Sequence, residues 1–461
     1  GDFSEFVIGC IAVCTNTLKF VHQSQPKGTQ HGNHANARRS PRSMTGSMVK
    51  PPLTAGVNAG LVGAHELCLG GSCFGARFAR WLDGKRAAVA TTWDDFCIGS
   101  WRRLASPELN LGTPMTFFAN SCGRCKISSR RDVAPSNSDV RFLRQAVLDG
   151  HEVGSHTAKH PDTYHWNGTD VHNDADAWLR YMDDHHRVVR RGDGITLSLP
   201  SATRLPQSAD ARVALHDHYI GVRVFGGGNN PSSTDASDVQ SLRSWPLMGH
   251  LDASALQANV ERAIAQREFV VTAGHGLMGW RSNESNRDDE CWRPVAEAVM
   301  ARYFAYLVAR KDVVWRATFG EVVKYILIRS LMRPRLAIQP ARGPLPPLLR
   351  IDFESTSVDD VPAHFDLGQS NISTTLVLRT PREAPLLACS QGMRSCAVRR
   401  VSDADRADAE DEFLWRLSSH HTRLNETLRW LVTTAGVGAP LLCTLQRKEP
   451  PWRPSRTSAD A

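Results

Sequence analysis

Arg86-Ala-Ala-Val-Ala-Thr-Thr92, running into Trp93-Asp94-Asp95, and Gly150-His-Glu-Val-Gly-Ser-His156-Thr-Ala-Lys-His160-Pro161 are the stretches whose reading decides the fold. Each starts as a short run suited to a buried strand and ends on side chains that bind protons or metal ions. Runs of the same kind recur at residues 113–120, 194–199, 219–225 and 269–273. Helix-like spacing fills residues 139–148, 175–189, 209–216 and 253–267, and residues 294–309 close the series. Strand alternating with helix predicts an α/β barrel or wound sheet, whose chemistry gathers at the C-terminal ends of parallel strands. Asp94 and Asp95 end the first strand, His156 ends the third, and His275 follows the apolar run 269–273.

A chain of 461 residues, 41% hydrophobic and 22% charged, can bury one large core and still carry a smaller domain or tails. Residues 1–84 read as a largely disordered extension, because 19–59 are rich in Gly, Ser, Asn, His, Pro and Arg without apolar periodicity. The domain expected to carry the chemistry runs over 85–330, followed by a Pro/Arg linker at 331–349. Repeated proline disfavours helix and central strand there. A small β module is expected over 350–404, with strands at 374–379 and 397–401 separated by a turn at Gln391-Gly392. Residues 405–461 read as a tail with one helical stretch near 424–431.

The formal net charge is +8, but the arginines are scattered rather than gathered in a stripe, so no nucleic-acid partner is expected. No run approaches the ~20 apolar residues of a membrane span. The short run 7–13 lacks a basic segment before it, so neither a transmembrane segment nor a convincing signal peptide is expected. The 11 cysteines cannot all pair internally. Cys122-Gly-Arg-Cys125 has metal or redox spacing, but no second such pair completes a four-thiolate site, so it reads as a loop pair.

His156 and His160 stand four apart and point the same way if the segment after the strand turns helically. Zinc takes imidazole nitrogen and carboxylate oxygen and, at a catalytic site, three protein ligands. Asp95 supplies the third, and Asp94 is left free to accept a proton. A histidine pair alone, in a chain with 18 histidines, or an Asp pair alone at a strand end, is usually structural. Their occurrence together, in this order and on alternate strand ends, is what points to a metal centre.

Thr91-Thr-Trp-Asp94-Asp95 and Gly150 through Pro161 resemble the first two motifs of polysaccharide deacetylases with the NodB homology domain, carbohydrate esterase family four. The resemblance implies a distorted (β/α) barrel in which Asp95, His156 and His160 bind a divalent metal, zinc or alternatively cobalt, and Asp94 is the base. Thr113-Pro-Met-Thr-Phe-Phe-Ala-Asn120 is similar to the family's second strand. Ser198-Leu-Pro200 occupies the third motif, with Pro200 and Ser201 beside the backbone N–H that would serve the oxyanion. Ser198 stands where many members have an arginine that steadies the base, and Ser201 where they have an aromatic residue. His275, in Val271-Thr-Ala-Gly-His275-Gly, resembles the closing motif whose histidine protonates the leaving group. Val314 through Ile326 resembles the end of the catalytic domain. Phe96 stands where the family has glycine, so a positive φ there would be strained.

The implied activity is metal-dependent hydrolysis of acetyl groups from an N- or O-acetylated polysaccharide, in a secreted or cell-envelope setting. The alternatives are a catalytically impaired carbohydrate-binding protein on the same fold and an amidohydrolase of small amides. Trp166 and Trp280 are candidates for stacking on sugars or for packing.

Overall fold

A hairpin, β1 (His65–Leu69) and β2 (Ser72–Phe78), precedes the alternation of strand and helix. The series then runs β3 (Ala87–Trp93), α1 (Ile98–Leu104), α2 (Pro107–Asn110), β4 (Met115–Ala119), α3 (Asn137–Leu148) and β5 (Glu152–Ser155). It continues with α4 (Gly168–Leu179), β6 (Thr196–Ser198), α5 (Ala209–His218), β7 (Gly221–Gly227), β8 (Leu242–Pro246), α6 (Ala253–Gln266) and β9 (Phe269–Gly274). Helix α7 (Glu297–Ala309), β10 (Val314–Arg316) and α8 (Phe319–Leu331) complete it. This computed structural model describes residues 65–69, 72–121, 135–278, 291–339, 348–356, 365–366, 372–381, 386–391, 394–400, 427–434 and 437–445.

Strands β3 to β9 pair in parallel in chain order, and β9 returns to β3, so the sheet closes into a seven-stranded barrel with helices around it. This is the distorted (β/α) barrel expected. The distortion is visible on β3, where one edge serves two strands. β10 pairs with Ala87–Val89 and β4 with Thr91–Trp93. Strand β3 is buried along its whole length, as a strand flanked on both sides and both faces must be.

A second, nine-stranded antiparallel sheet is built from both ends of the described chain. Its strands are β1, β2, β11 (Met332–Gln339), β12 (Leu348–Ser355), β13 (Thr374–Pro381), β14 (Leu386–Gln391), β15 (Arg394–Arg400), β16 (Thr427–Thr434) and β17 (Leu441–Leu445). Phe78, Trp81, Phe319, Leu336, Leu349, Leu376 and Val432 share one apolar cluster that joins this sheet to the barrel through α8. At roughly 1.5–3 kcal/mol per large apolar side chain buried, such a seam ties the two sheets strongly together.

Several elements differ from expectation. The 1–84 extension contains the hairpin β1–β2, which adds to β13, and its Phe74, Ala76 and Phe78 are buried. Within the 331–349 linker, β11 alternates buried and exposed residues and contains Pro334. An edge strand tolerates proline because only one side of it must pair. Of the helical stretch expected near 424–431, residues 427–431 belong to strand β16, held between β13 and β15, where neighbouring strands outweigh a short stretch's weak helical preference, and 424–426 lie outside the described residues. The helix expected at 175–189 begins seven residues earlier, because Asn167 and Asp170 form a capping box, and it passes into a π-turn at Arg180–His185. Strands β8 and β10 add to the expected runs. Cys122, Cys125 and Trp280 lie outside the described residues, and Trp166 packs into the core.

Candidate metal centre

The loops after β3, β5, β6 and β9 converge at one end of the barrel and bring the expected residues together. Asp95 Oδ1 lies 3.2 Å from His156 Nε2 and 3.1 Å from His160 Nε2, while Asp95 Oδ2 lies 3.4 Å from His275 Nε2. One ligand atom from each of Asp95, His156 and His160 falls within 4.8 Å of the others.

The histidines converge without a helical turn. Thr157 and His160 both take left-handed backbone, at φ 69° and 52°, so the segment curls into a tight loop. Local hydrogen bonds hold that loop. Ala119 O accepts from His156 N at 3.0 Å, Ser155 Oγ from Thr157 N at 3.1 Å, and Thr157 Oγ1 from His160 N at 3.0 Å. Asp95 and Phe96 are likewise left-handed, at φ 68° and 54°. Four strained residues around one point are the signature of a preorganised site. The Phe96 ring is buried against Trp101, with centroids 5.6 Å apart, so the departure from glycine puts strain in the loop while its bulk goes into the core.

His156 Nδ1 lies 2.8 Å from the carbonyl oxygen of Ser198, which can only accept. Nδ1 therefore carries the proton, and Nε2 presents a lone pair toward Asp95 Oδ1. Two acceptors 3.2 Å apart repel unless a cation lies between them, either a second proton on the ring or a metal ion. The donor set, two imidazole nitrogens and a carboxylate, is one that zinc or cobalt accepts. Burial alone would raise the Asp95 carboxyl, but hydrogen bonds from His156 and His160 and the field of His275 hold it well below the ordinary 3.8. Burial would lower His160, but Asp95 raises it above the ordinary 6.5. At His275 burial wins over Asp95 and Asp94, and the imidazole titrates below 6.5.

Asp94 turns the other way. Its Oδ2 accepts from Arg223 Nη2, which also donates to Ser198 Oγ, and its Oδ1 is buried with no partner among the described residues. Arg223 lies on β7, is 1% exposed, and has its guanidinium over the Phe118 ring. Asp94 thus has an arginine partner, but from a strand other than the one where the resemblance places it. Sequence reasoning passed over Arg223, although one charged residue within the apolar run Val222-Arg223-Val224 was a readable signal. Pro200 and Ser201 follow β6 at the same end of the barrel, Pro200 buried and Ser201 exposed at φ 51°. Cys97, two residues after Asp95, is disulfide-bonded to Cys291. The adjoining Trp292, 39% exposed, stands edge-on to His275 with centroids 5.0 Å apart. A second disulfide, Cys389–Cys443, lies in the antiparallel sheet.

These positions match the order and strand placement of the two opening motifs. The chain is similar to polysaccharide deacetylases. Among solved structures, a candidate polysaccharide deacetylase from Mycobacterium smegmatis is 12% identical and aligns over 54% of this chain and 93% of that one, with a TM-score of 0.37. A family 4 acetyl xylan esterase from Clostridium thermocellum in complex with cobalt is 14% identical over 51% and 91%, TM-score 0.31. A family 4 pseudoenzyme from Bacillus anthracis is 14% identical over 52% and 66%, TM-score 0.31. A gellan lyase from a Bacillus species is 24% identical over 270 residues, 54% of this chain, and the match spans 10% of that much longer protein. No known family profile matches the chain. Likenesses this distant leave the chemistry to be argued from the centre's own atoms. Among the described residues, no helix is long and apolar enough to cross a membrane.

Proposed function

We propose that the chain is a metal-dependent hydrolase that removes acetyl groups from an N- or O-acetylated polysaccharide, with zinc the expected ion and cobalt the alternative. One observation carries the reading. Asp95 groups with two histidines as a ligand set, while adjacent Asp94 is turned away, charge-paired to Arg223, with one buried oxygen unpartnered.

Asp95, His156 and His160 would hold the ion. When bound, a divalent cation polarises the acetyl carbonyl and lowers the pKa of water beside it. Asp94 Oδ1 is the acceptor for the proton that water gives up as it attacks, while Arg223 fixes the other oxygen and keeps the carboxylate in place. Backbone N–H groups near Ser201 are the donors for the developing oxyanion. The departing amine or alcohol needs one proton, the same number that Asp94 removes. His275, which burial holds below the ordinary 6.5, is the group placed to carry that proton across. Acetate leaves and the glycan chain stays whole. A secreted or cell-envelope setting fits such a substrate.

A second reading is a glycan-binding protein on this fold with impaired catalysis. It is favoured by His275 Nδ1, which is buried without a partner among the described residues, so nothing there orients the ring for proton transfer. Asp94→Asn against His156→Ala tests the assignment. The first is expected to keep the metal and lose turnover, the second to lose both. Equal metal content in wild type and His156→Ala contradicts the centre.

A further inference from the structure

Helix α4 carries a carboxylate that the proposed reaction does not use. Asp174 Oδ1 accepts from Ala158 N at 2.9 Å, and Asp174 Oδ2 is buried with no partner among the described residues. Ala158 is the midpoint of His156-Thr-Ala-Lys-His160, with left-handed Thr157 on one side and His160 two residues beyond. The loop's other hydrogen bonds from His156, Thr157 and His160 N–H groups go to residues of β4, β5 or the loop itself. The Ala158 bond instead crosses to a helix sixteen residues on.

Helix α4 is well placed to act as a jig. Its capping box fixes the N-terminus, and Val171, Ala175 and Trp178 bury its inner face at helical spacing. Trp178 Nε1 donates to Ala119 O at 2.6 Å, the carbonyl that also accepts from His156 N. The helix therefore touches the ligand loop at its midpoint, through Asp174, and shares with His156 N the carbonyl acceptor of Ala119, through Trp178. A buried carboxyl with one hydrogen bond is costly to keep, and burial pushes Asp174 up to about 7. A neutral, apolar residue would suit the packing better unless the bond to Ala158 has work to do.

We infer that Asp174 is a positioning residue for the metal centre, whose hydrogen bond to Ala158 N holds the His156–His160 loop in its left-handed form so that both Nε2 atoms face Asp95. This rests on the metal-centre reading above. Outer partners of metal ligands typically set affinity by about 10–100-fold.

The test is Co2+ affinity by chelator competition, with the visible absorption of the Co2+-loaded protein, on wild type, Asp174→Leu, Asp174→Ala and Asp174→Asn. Melting temperature is recorded for each. Leu and Ala, which cannot accept from Ala158, are expected to lose affinity about tenfold or more and to change the Co2+ spectrum while still folding. Asn keeps an acceptor oxygen and is expected to stay within about threefold of wild type, with its spectrum restored. If Leu fails to fold, the smaller Ala carries the comparison. A folded Leu or Ala variant with wild-type affinity and spectrum overturns the role, and so does an Asn variant as weak as Leu, because charge rather than the hydrogen bond would then be acting. Wild type that binds no Co2+ overturns the metal-centre reading itself, a result separate from either of these.

Discussion

Arg223 on β7 and Asp94 at the end of β3 form a buried ion pair between strands that are not neighbours in the barrel, so the contact crosses its mouth. Breaking a buried pair by removing one partner leaves an uncompensated charge, at a cost of about 3–5 kcal/mol. Arg223→Met is therefore expected to destabilise by that order in chemical denaturation and to lower kcat by about two orders of magnitude, as mispositioned bases do. Metal affinity should hold, because Arg223 does not touch Asp95, His156 or His160. Adding Asp94→Asn to Arg223→Met should recover most of the stability and none of the activity.

Protons and metal compete for the same nitrogens. His160 titrates above the ordinary 6.5 because Asp95 holds its charged form. Metal affinity is expected to fall as pH falls through that raised value, and each ion bound near it should release protons. In the metal-free protein the sign reverses. The His160–Asp95 contact stabilises the fold fully below the unfolded value and is lost as pH rises through the folded one. Calorimetric titration in buffers of different ionisation enthalpy measures the proton release. Affinity independent of pH between 5 and 8 would exclude imidazole ligands.

Phe96 sets two effects against each other. Relief of a left-handed non-glycine residue is worth about 1–2 kcal/mol, whereas loss of a buried phenylalanine costs about 3–5 kcal/mol. Packing wins, so Phe96→Gly is expected to destabilise by roughly 2–3 kcal/mol in denaturant. Because the ring points into the core, turnover should stay within a few-fold of wild type. A large rise in turnover would show that the phenylalanine obstructs the centre.

Asp174 controls a separate pH dependence. Its folded value of about 7 lies above the unfolded 3.8, so the folded state holds a proton that the unfolded state releases. Stability from this group is greatest at the acid end, falls as pH rises between those values, and levels off above. The total is on the order of 4 kcal/mol. Asp174→Asn should flatten that slope and melt higher than wild type at pH 8. Identical pH–stability curves would mean that Asp174 ionises normally.

Much of this architecture was legible in the chain. The barrel's longer strands announce themselves as buried apolar runs, and Asp94, Asp95, His156, His160 and His275 sit at their ends because parallel strands deliver side chains there. Arg223 stands out as a lone charge in an apolar strand, but its partner Asp94 lies far away in sequence, so the pair itself is not legible there. The left-handed backbone of Thr157 and His160 carries no mark in the spacing of the two histidines, since spacing alone cannot report φ. Asp174, on a helix sixteen residues beyond its partner Ala158, carries no local mark of that contact. The second sheet was under-read at both ends. Its strands β2, β16 and β17 gain their identity from partners far away in sequence, and pairing of that kind overrides local preference.

The central claim is tested most directly by acetate release. Purified protein, stripped of metal and then reloaded with Zn2+ or Co2+, is incubated with acetylated chitooligosaccharide, peptidoglycan and acetyl-xylan, with Asp94→Asn as control. The account predicts acetate from at least one glycan in the reloaded protein, and none from the stripped protein or from Asp94→Asn. Glycan binding without acetate release under every condition, or release that Asp94→Asn leaves intact, would contradict it.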